Sequence, residues 1–342
     1  MSLVFLGTSD FAAAILERLA RSDDQRPALV LTRPDSPSGR GRRLRPPPVA
    51  ERARALGLAL AQPERVNDPE ARALIAAAGD DEGHVAATGS GPARSESGDR
   101  KLGGEEGASK QTVIVCAFGA LIKEPLLSEH ELINVHPSLL PRWRGAAPIE
   151  RALMAGDARS GVSIMKLTAG LDDGPVCLTG EERIAPDDDY ASLSARLQEL
   201  AGELLLRALR ERPPFRPQAR DGTTYAEKIA PADRLLDPAR VAAELERVVR
   251  ALHPHIGARA ALADGSLLGV ERSRLLEPDS RAADAELVAR AASLPPGLMA
   301  HDGRLALVCA GGALELLVVK PPGGRAMDAA AYLRGHPQPG RL

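Results

Sequence analysis

Residues 2–34 read SLVFLGTSDFAAAILERLARSDDQRPALVLTRP, and this stretch decides the fold. SLVFLG is a short apolar run, as a strand buried on both faces requires. A glycine turn follows at once. Phe11, Ile15, Leu16 and Leu19 then fall on one face at helical spacing. PALVLTRP reads as a second buried strand. Strand, tight turn, helix and strand make the βαβ unit of a parallel sheet. The theme continues downstream: ERARALGLAL (51–60) is a helix running into a short strand, and QTVIVCAFG (111–119) and ELINVHP (131–137) are further buried strands. The expected architecture is an α/β domain with a doubly wound, mostly parallel sheet.

Two segments interrupt that pattern. RPDSPSGRGRRLRPPPV (33–49) is too long for an ordinary strand-to-helix loop and is full of Pro, Gly and Arg. Residues 80–110 are rich in Gly, Ser, Ala and charge, with almost nothing to build a core, and so read as a disordered insertion; His84 within it is expected to be solvated. Past residue 206 the periodicity fades into a linker, 207–223. A helix follows in PARVAAELERVVRALHP (238–254), then short apolar runs separated by turn residues. Those runs predict a small C-terminal β-barrel, OB-like, over 224–342, after a catalytic domain over 1–206.

Bulk composition narrows the function. The chain of 342 residues carries a formal net charge of −2, so any nucleic-acid contact must come from a local patch. Cys116, Cys177 and Cys309 lie far apart without CxxC spacing, which argues against a disulfide framework or a zinc site; they are expected to be buried small hydrophobes. The N-terminus has no basic region ahead of an apolar run of signal-peptide length, and no apolar stretch reaches the roughly 18 residues of a membrane span. A cytoplasmic protein is expected.

GTSDF (7–11) lacks the second and third glycines of a dinucleotide fingerprint, which disfavours a dehydrogenase. The Gly7–Ser9 turn is either a plain tight turn or a set of backbone donors toward a polar ligand. Asn134 and His136 sit at the carboxyl end of a strand, where open α/β sheets bind ligands, and side chains two apart on a strand share a face. Alone, such a pair has a structural reading more often than a chemical one. A third element is GVSIMKLTAGLDDGPV (161–176), a strand followed by a turn bearing Asp172 and Asp173. A carboxylate beside an imidazole orients it and favours its cationic form. An amide, an imidazole and a carboxylate with no nucleophile of their own suit attack by a substrate amine on an activated carbonyl.

NVHPSLLPRWRGAAPIERALMAGD (134–157) followed by GVSIMKLTAGLDDGPV strongly resembles the folate-dependent formyltransferases that use 10-formyltetrahydrofolate, with Asp172 following His136 by 36 positions. The resemblance implies a catalytic set of Asn134, His136 and Asp172, with Asp173 at a position the family varies. It implies folate contacts from Ser138, Leu139, Leu140 and Pro141, and a pterin pocket lined by Phe118 and Gly119. The cosubstrate would be 10-formyltetrahydrofolate, with no metal. The opening LVFLGTSDFAAAILERL, the arginine loop, TYAEKI (224–229) and the C-terminal region are similar to the members whose acceptor is initiator methionyl-tRNA. The resemblance spans nearly the whole chain apart from 80–110.

In that setting the arginine loop becomes an RNA contact. Seven arginines lie from Arg33 to Arg54, against Asp35 and Glu51. Gly39 and Gly41 allow close backbone approach, and Pro46–Pro48 stiffen the exit. Arginines pair with phosphates and stack on unpaired bases. Arg33, Arg40, Arg42, Arg43 and Arg45 are the expected tRNA contacts, joined by Arg142 and Arg144. A monomer is expected. Other readings are a formyltransferase acting on a sugar-nucleotide or purine-precursor amine, and a non-catalytic tRNA-binding module; the latter would need no Asn–His–Asp set.

Overall fold

The computed structural model describes residues 2–38, 43–80, 110–276 and 282–336. Arg40, Arg42, His84 and residues 81–109 of the expected disordered insertion lie outside the described residues. The chain divides into two compact units. One comprises Met1–His136, Ile164–Leu178 and Gly202–Pro217; the other comprises Pro137–Ser163, Thr179–Ala201 and Gln218–Leu342.

The chain opens with β1 (Leu3–Gly7), α1 (Asp10–Ala20) and β2 (Leu29–Leu31), as the first stretch requires. Phe11, Ile15, Leu16 and Leu19 are buried, so the helical face read from sequence is the packed one. Ser9 caps α1, its Oγ accepting the Ala12 N–H at 3.3 Å. A β-carbon at Gly7 would stand 2.6 Å from the Phe5 ring and 2.8 Å from Ala12 Cβ, so only glycine fits where β1 turns into α1. A hairpin of β3 (Ser36–Ser38) and β4 (Arg43–Arg45) precedes α2 (Pro48–Ala55), β5 (Leu60–Ala61) and α3 (Pro69–Asp80). Then come β6 (Thr112–Cys116), the short α4 (Leu126–Glu129) and β7 (Glu131–His136).

The main sheet has seven strands. Along β7, β6, β1, β2 and β5 every neighbour is parallel. Its other end is formed by β9 (Arg159–Lys166) and β10 (Val176–Arg183), which follow β8 (Arg144–Gly145) and α5 (Pro148–Ala155) in the chain. β1 and β6 are buried along their whole length, so they read as continuous apolar runs without alternation. The core of this unit is built around Val4, Leu6, Leu31, Ile75, Val113 and Leu126.

α6 (Tyr190–Glu211) was not evident in the sequence reading. It spans 22 residues and runs past the expected linker start at 207, because Leu204, Leu205, Ala208 and Leu209 keep helical spacing and are buried. Within 207–223 a further departure follows: Arg216 bridges to Val176. Beyond it, β11 (Tyr225–Ala226) pairs in parallel with β8.

α7 (Ala242–Leu252) is the helix expected over 238–254; its Leu245, Val248, Val249 and Leu252 enter the second core. The sheet that follows is antiparallel and OB-like, formed by β12 (Ala258–Ala261), β13 (Leu267–Leu276), β14 (Gly297–His301), β15 (Arg304–Val308), β16 (Ala313–Lys320) and β17 (Met327–Asp328). β13 pairs with β16 across register shifts at Arg272, bulges that increase local twist. α8 (Ala282–Ala292) precedes β14, and α9 (Ala329–Gly335) follows β17.

Candidate active site

In the first unit β7 carries Asn134 and His136 on one face, 8% and 3% exposed. Asn134 lies opposite Val115 of β6. Buried polar side chains in an apolar strand are costly unless paired, which makes their position at the strand's carboxyl end informative.

After β9 the chain turns back through residues 167–175, and Lys166 N–H donates to the Pro175 carbonyl at 2.9 Å. Two glycines allow this turn. A β-carbon at Gly174 would collide with the Lys166 carbonyl, and one at Gly170 with the Asp173 carboxylate. Thr168 Oγ1 donates to Asp173 Oδ1 at 2.5 Å, holding that acid within the turn. Asp172 instead adopts φ +46°, a left-handed conformation uncommon for a residue with a side chain. Its Oδ2 lies 3.7 Å from His136 Nδ1, an ion-pair distance for the protonated ring and longer than a direct hydrogen bond. The turn thus presents the first aspartate to the imidazole and retains the second.

The carboxyl end of β6 bends at Ala117, with φ +41°, into buried Phe118 and Gly119 at φ +75°. Thr8 Oγ1 donates to the Phe118 carbonyl at 2.7 Å. The Gly7–Ser9 turn therefore secures the Phe118 backbone through Thr8, a residue to which the sequence reading assigned no role. The Arg33 guanidinium lies alongside Gly119, where Nη1 would stand 3.8 Å from a β-carbon. Arg43 and Arg45 are exposed on β4.

In the second unit, residues 137–147 form the loop between β7 and α5. Ser138 is fully buried and its Oγ donates to the Arg142 carbonyl at 2.7 Å. Ser163 Oγ donates to the Ser138 carbonyl at 2.7 Å and accepts the Leu140 N–H at 3.1 Å. Leu139 packs where Gly161 leaves room for it. Ser138 thus commits its proton to closing the loop. Arg142 and Arg144, expected to meet tRNA, also donate within this unit: Arg142, its side chain 41% exposed, to Asp157 at 2.8 and 2.7 Å, and Arg144 to Gln218 at 3.1 and 2.7 Å. The Asp157 carboxylate holds Arg142 still more firmly protonated than usual. Asp157 had no role in the sequence reading; its only sequence signal is its place just past the glycine that ends α5.

Cys116 and Cys309 are buried, whereas Cys177 is half-buried. Burial pushes the Cys309 thiol up to about 11 and raises the other two, so none is a ready thiolate. Among the described residues no cluster of three or more His, Cys, Asp or Glu is arranged to hold a metal ion, and no helix is long and apolar enough to cross a membrane.

Residues 1–209 match the family described as formyl transferase, and residues 228–337 match the formyl transferase C-terminal domain. The chain belongs to the formyl transferase family. Within it, the chain is 37% identical over 341 residues to the methionyl-tRNA formyltransferase of Dechloromonas aromatica, covering 98% of this chain and 96% of that one. It is also 37% identical over 345 residues to the methionyl-tRNA formyltransferase of Paracoccus denitrificans, covering both chains completely. Among solved structures, the fold is similar to an N-formyltransferase from Helicobacter canadensis in complex with folinic acid and dTDP-3-aminofucose, with a TM-score of 0.58, 12% identity, and coverage of 92% of this chain and 98% of that one.

Proposed function

We propose that the chain transfers the formyl group of 10-formyltetrahydrofolate to the α-amino group of methionine on initiator methionyl-tRNA, giving N-formylmethionyl-tRNA for translation initiation. The carrying observation is the approach of His136 Nδ1 and Asp172 Oδ2 to 3.7 Å, with Asn134 on the face of β7 that bears the imidazole. The acceptor is supported by relatives sharing more than a third of their residues over nearly the full chain.

The methionyl amine attacks the formyl carbon, and the carbonyl electrons move onto oxygen. Protonated His136 and the Asn134 amide donate to that oxyanion. Asp172 keeps the imidazole oriented and takes part in moving the amine proton. The carbon–N10 bond then breaks, N10 gains a proton, and tetrahydrofolate leaves. Ser138–Pro141 contact the folate through backbone and apolar surface, and Phe118 and Gly119 line the pterin pocket. Arg33, Arg40, Arg42, Arg43 and Arg45 meet tRNA. Arg142 and Arg144, beside the folate segment, join them in meeting the tRNA. The enzyme works in the cytoplasm as a monomer, with catalytic residues in 1–206 and added tRNA contacts in 224–342.

An acceptor screen tests this reading. Methionyl-tRNA, an amino-sugar nucleotide and glycinamide ribonucleotide are each offered with 10-formyltetrahydrofolate, and tetrahydrofolate release is followed. Release with methionyl-tRNA alone is expected; preference for another amine overturns the proposal.

A further inference from the structure

The loop between β7 and α5 contains the chain's one tryptophan, Trp143, at φ +63°. A bulky residue in the left-handed region is strained and persists only where its surroundings over-determine it. Here they do so from two directions. On one side stands Asp157, its side chain 16% exposed, just after Gly156, which ends α5 in a left-handed cap. It accepts Arg142 Nε and Nη2 at 2.8 and 2.7 Å and Trp143 Nε1 at 2.8 Å. The guanidinium lies 4.4 Å from the indole centroid, so one carboxylate organises a stacked cation–aromatic pair.

On the other side stands Thr224. Its Oγ1 accepts the Trp143 N–H at 2.9 Å, its carbonyl accepts the Arg144 N–H at 2.9 Å, and its own N–H donates to the Pro141 carbonyl at 3.4 Å. The β8–β11 pairing continues this contact. It is close enough that a β-carbon at Gly145 would stand 2.7 Å from the Ala226 carbonyl.

We infer that Asp157 and Thr224 are positioning residues that clamp residues 138–144 in the shape the folate site requires, so that the segment following α6 is a working part of that site rather than a tether. This rests on the proposed reading of Ser138–Pro141 as folate contacts. Neither residue touches the reacting atoms; both act through the backbone and side chains at 141–144.

Trp143 makes the clamp visible without substrate. In Asp157→Asn, Asp157→Ala and Thr224→Val, tryptophan anisotropy is expected to fall. The KM for 10-formyltetrahydrofolate is expected to rise about tenfold, while kcat changes less than about threefold. The effect should be graded, alanine above asparagine, without matching gradation in thermal midpoint. Unchanged anisotropy and KM in Asp157→Ala and Thr224→Val would overturn the clamp. So would kcat and thermal midpoint falling together with no KM split, since that marks a purely structural role. If anisotropy falls but the acceptor KM rises in place of the folate KM, the clamp stands and the folate reading of the loop fails.

Discussion

Asp172 and Asp173 are neighbours of identical chemistry, yet their surroundings separate them. Thr168 engages Asp173, and the left-handed backbone at 172 aims the other carboxylate at His136. General acid–base and oxyanion groups typically contribute about 10²–10⁴-fold to rate. His136→Ala and Asp172→Asn are therefore expected to lower kcat by about that factor with little change in thermal midpoint, whereas Asp173→Asn should cost far less. An Asp172→Asn enzyme at near wild-type turnover would remove the carboxylate from the mechanism. Gly174 offers a steric counterpart. A β-carbon there meets the Lys166 carbonyl, so Gly174→Ala must open the turn. It is expected to reduce turnover sharply and to destabilise by about 1–3 kcal/mol in denaturant titration. That Asn134 and His136 share a face was legible because they stand two apart on one strand. The resemblance put Asp172 ahead of Asp173; the dihedral angles by which the turn brings it to His136 are recorded in no side-chain pattern.

Among the elements, β4, paired antiparallel with β3, exposes Arg43 and Arg45. If these arginines meet phosphates, each of Arg43→Ala and Arg45→Ala should raise the KM for methionyl-tRNA. Each should also reduce the slope of log affinity against log salt by about 1, leaving the folate KM unchanged. Salt dependence identical to wild type would place the RNA elsewhere. The strands and α1 were readable because continuous apolar runs and a single amphipathic face are local signals. α6 was missed although Leu193, Leu197, Leu204 and Leu205 give its 22 residues an amphipathic face as clear as that of α1, so its signal was present in the sequence. TYAEKI was recognisable as a motif, but its role as strand β11 depends on a partner, β8, about 80 positions earlier. Short windows of sequence contain no such pairing.

Across the whole molecule, stability toward acid rests partly on a buried carboxylate in the second unit. Asp188 is 4% exposed; Arg196 donates to it at 2.8 and 2.7 Å, Ser192 Oγ at 2.7 Å and the Ala185 N–H at 2.6 Å. The Arg196 hydrogen bonds are the largest cause that lowers its pKa to about 2. Because the folded value lies below the unfolded one, the stabilisation is fully present above about pH 4 and is lost as pH falls through about 2. Asp188→Asn is expected to cost roughly 2 kcal/mol at pH 7 and to flatten the acid dependence of the unfolding free energy between about pH 4 and 2. An unchanged acid limb would assign that dependence to other carboxylates.

By itself the sequence determined the parallel α/β architecture and the OB-like C-terminal sheet, because burial periodicity and motif spacing lie along the chain. Only the tertiary structure decided how the turn brings Asp172 to His136, that Arg142 pairs with Asp157 and Arg144 with Gln218, and that Thr224, beyond α6, accepts the Trp143 N–H. Those outcomes depend on positive-φ backbone and on hydrogen bonds between distant segments, whose partners are set by three-dimensional packing and not by any local repeat.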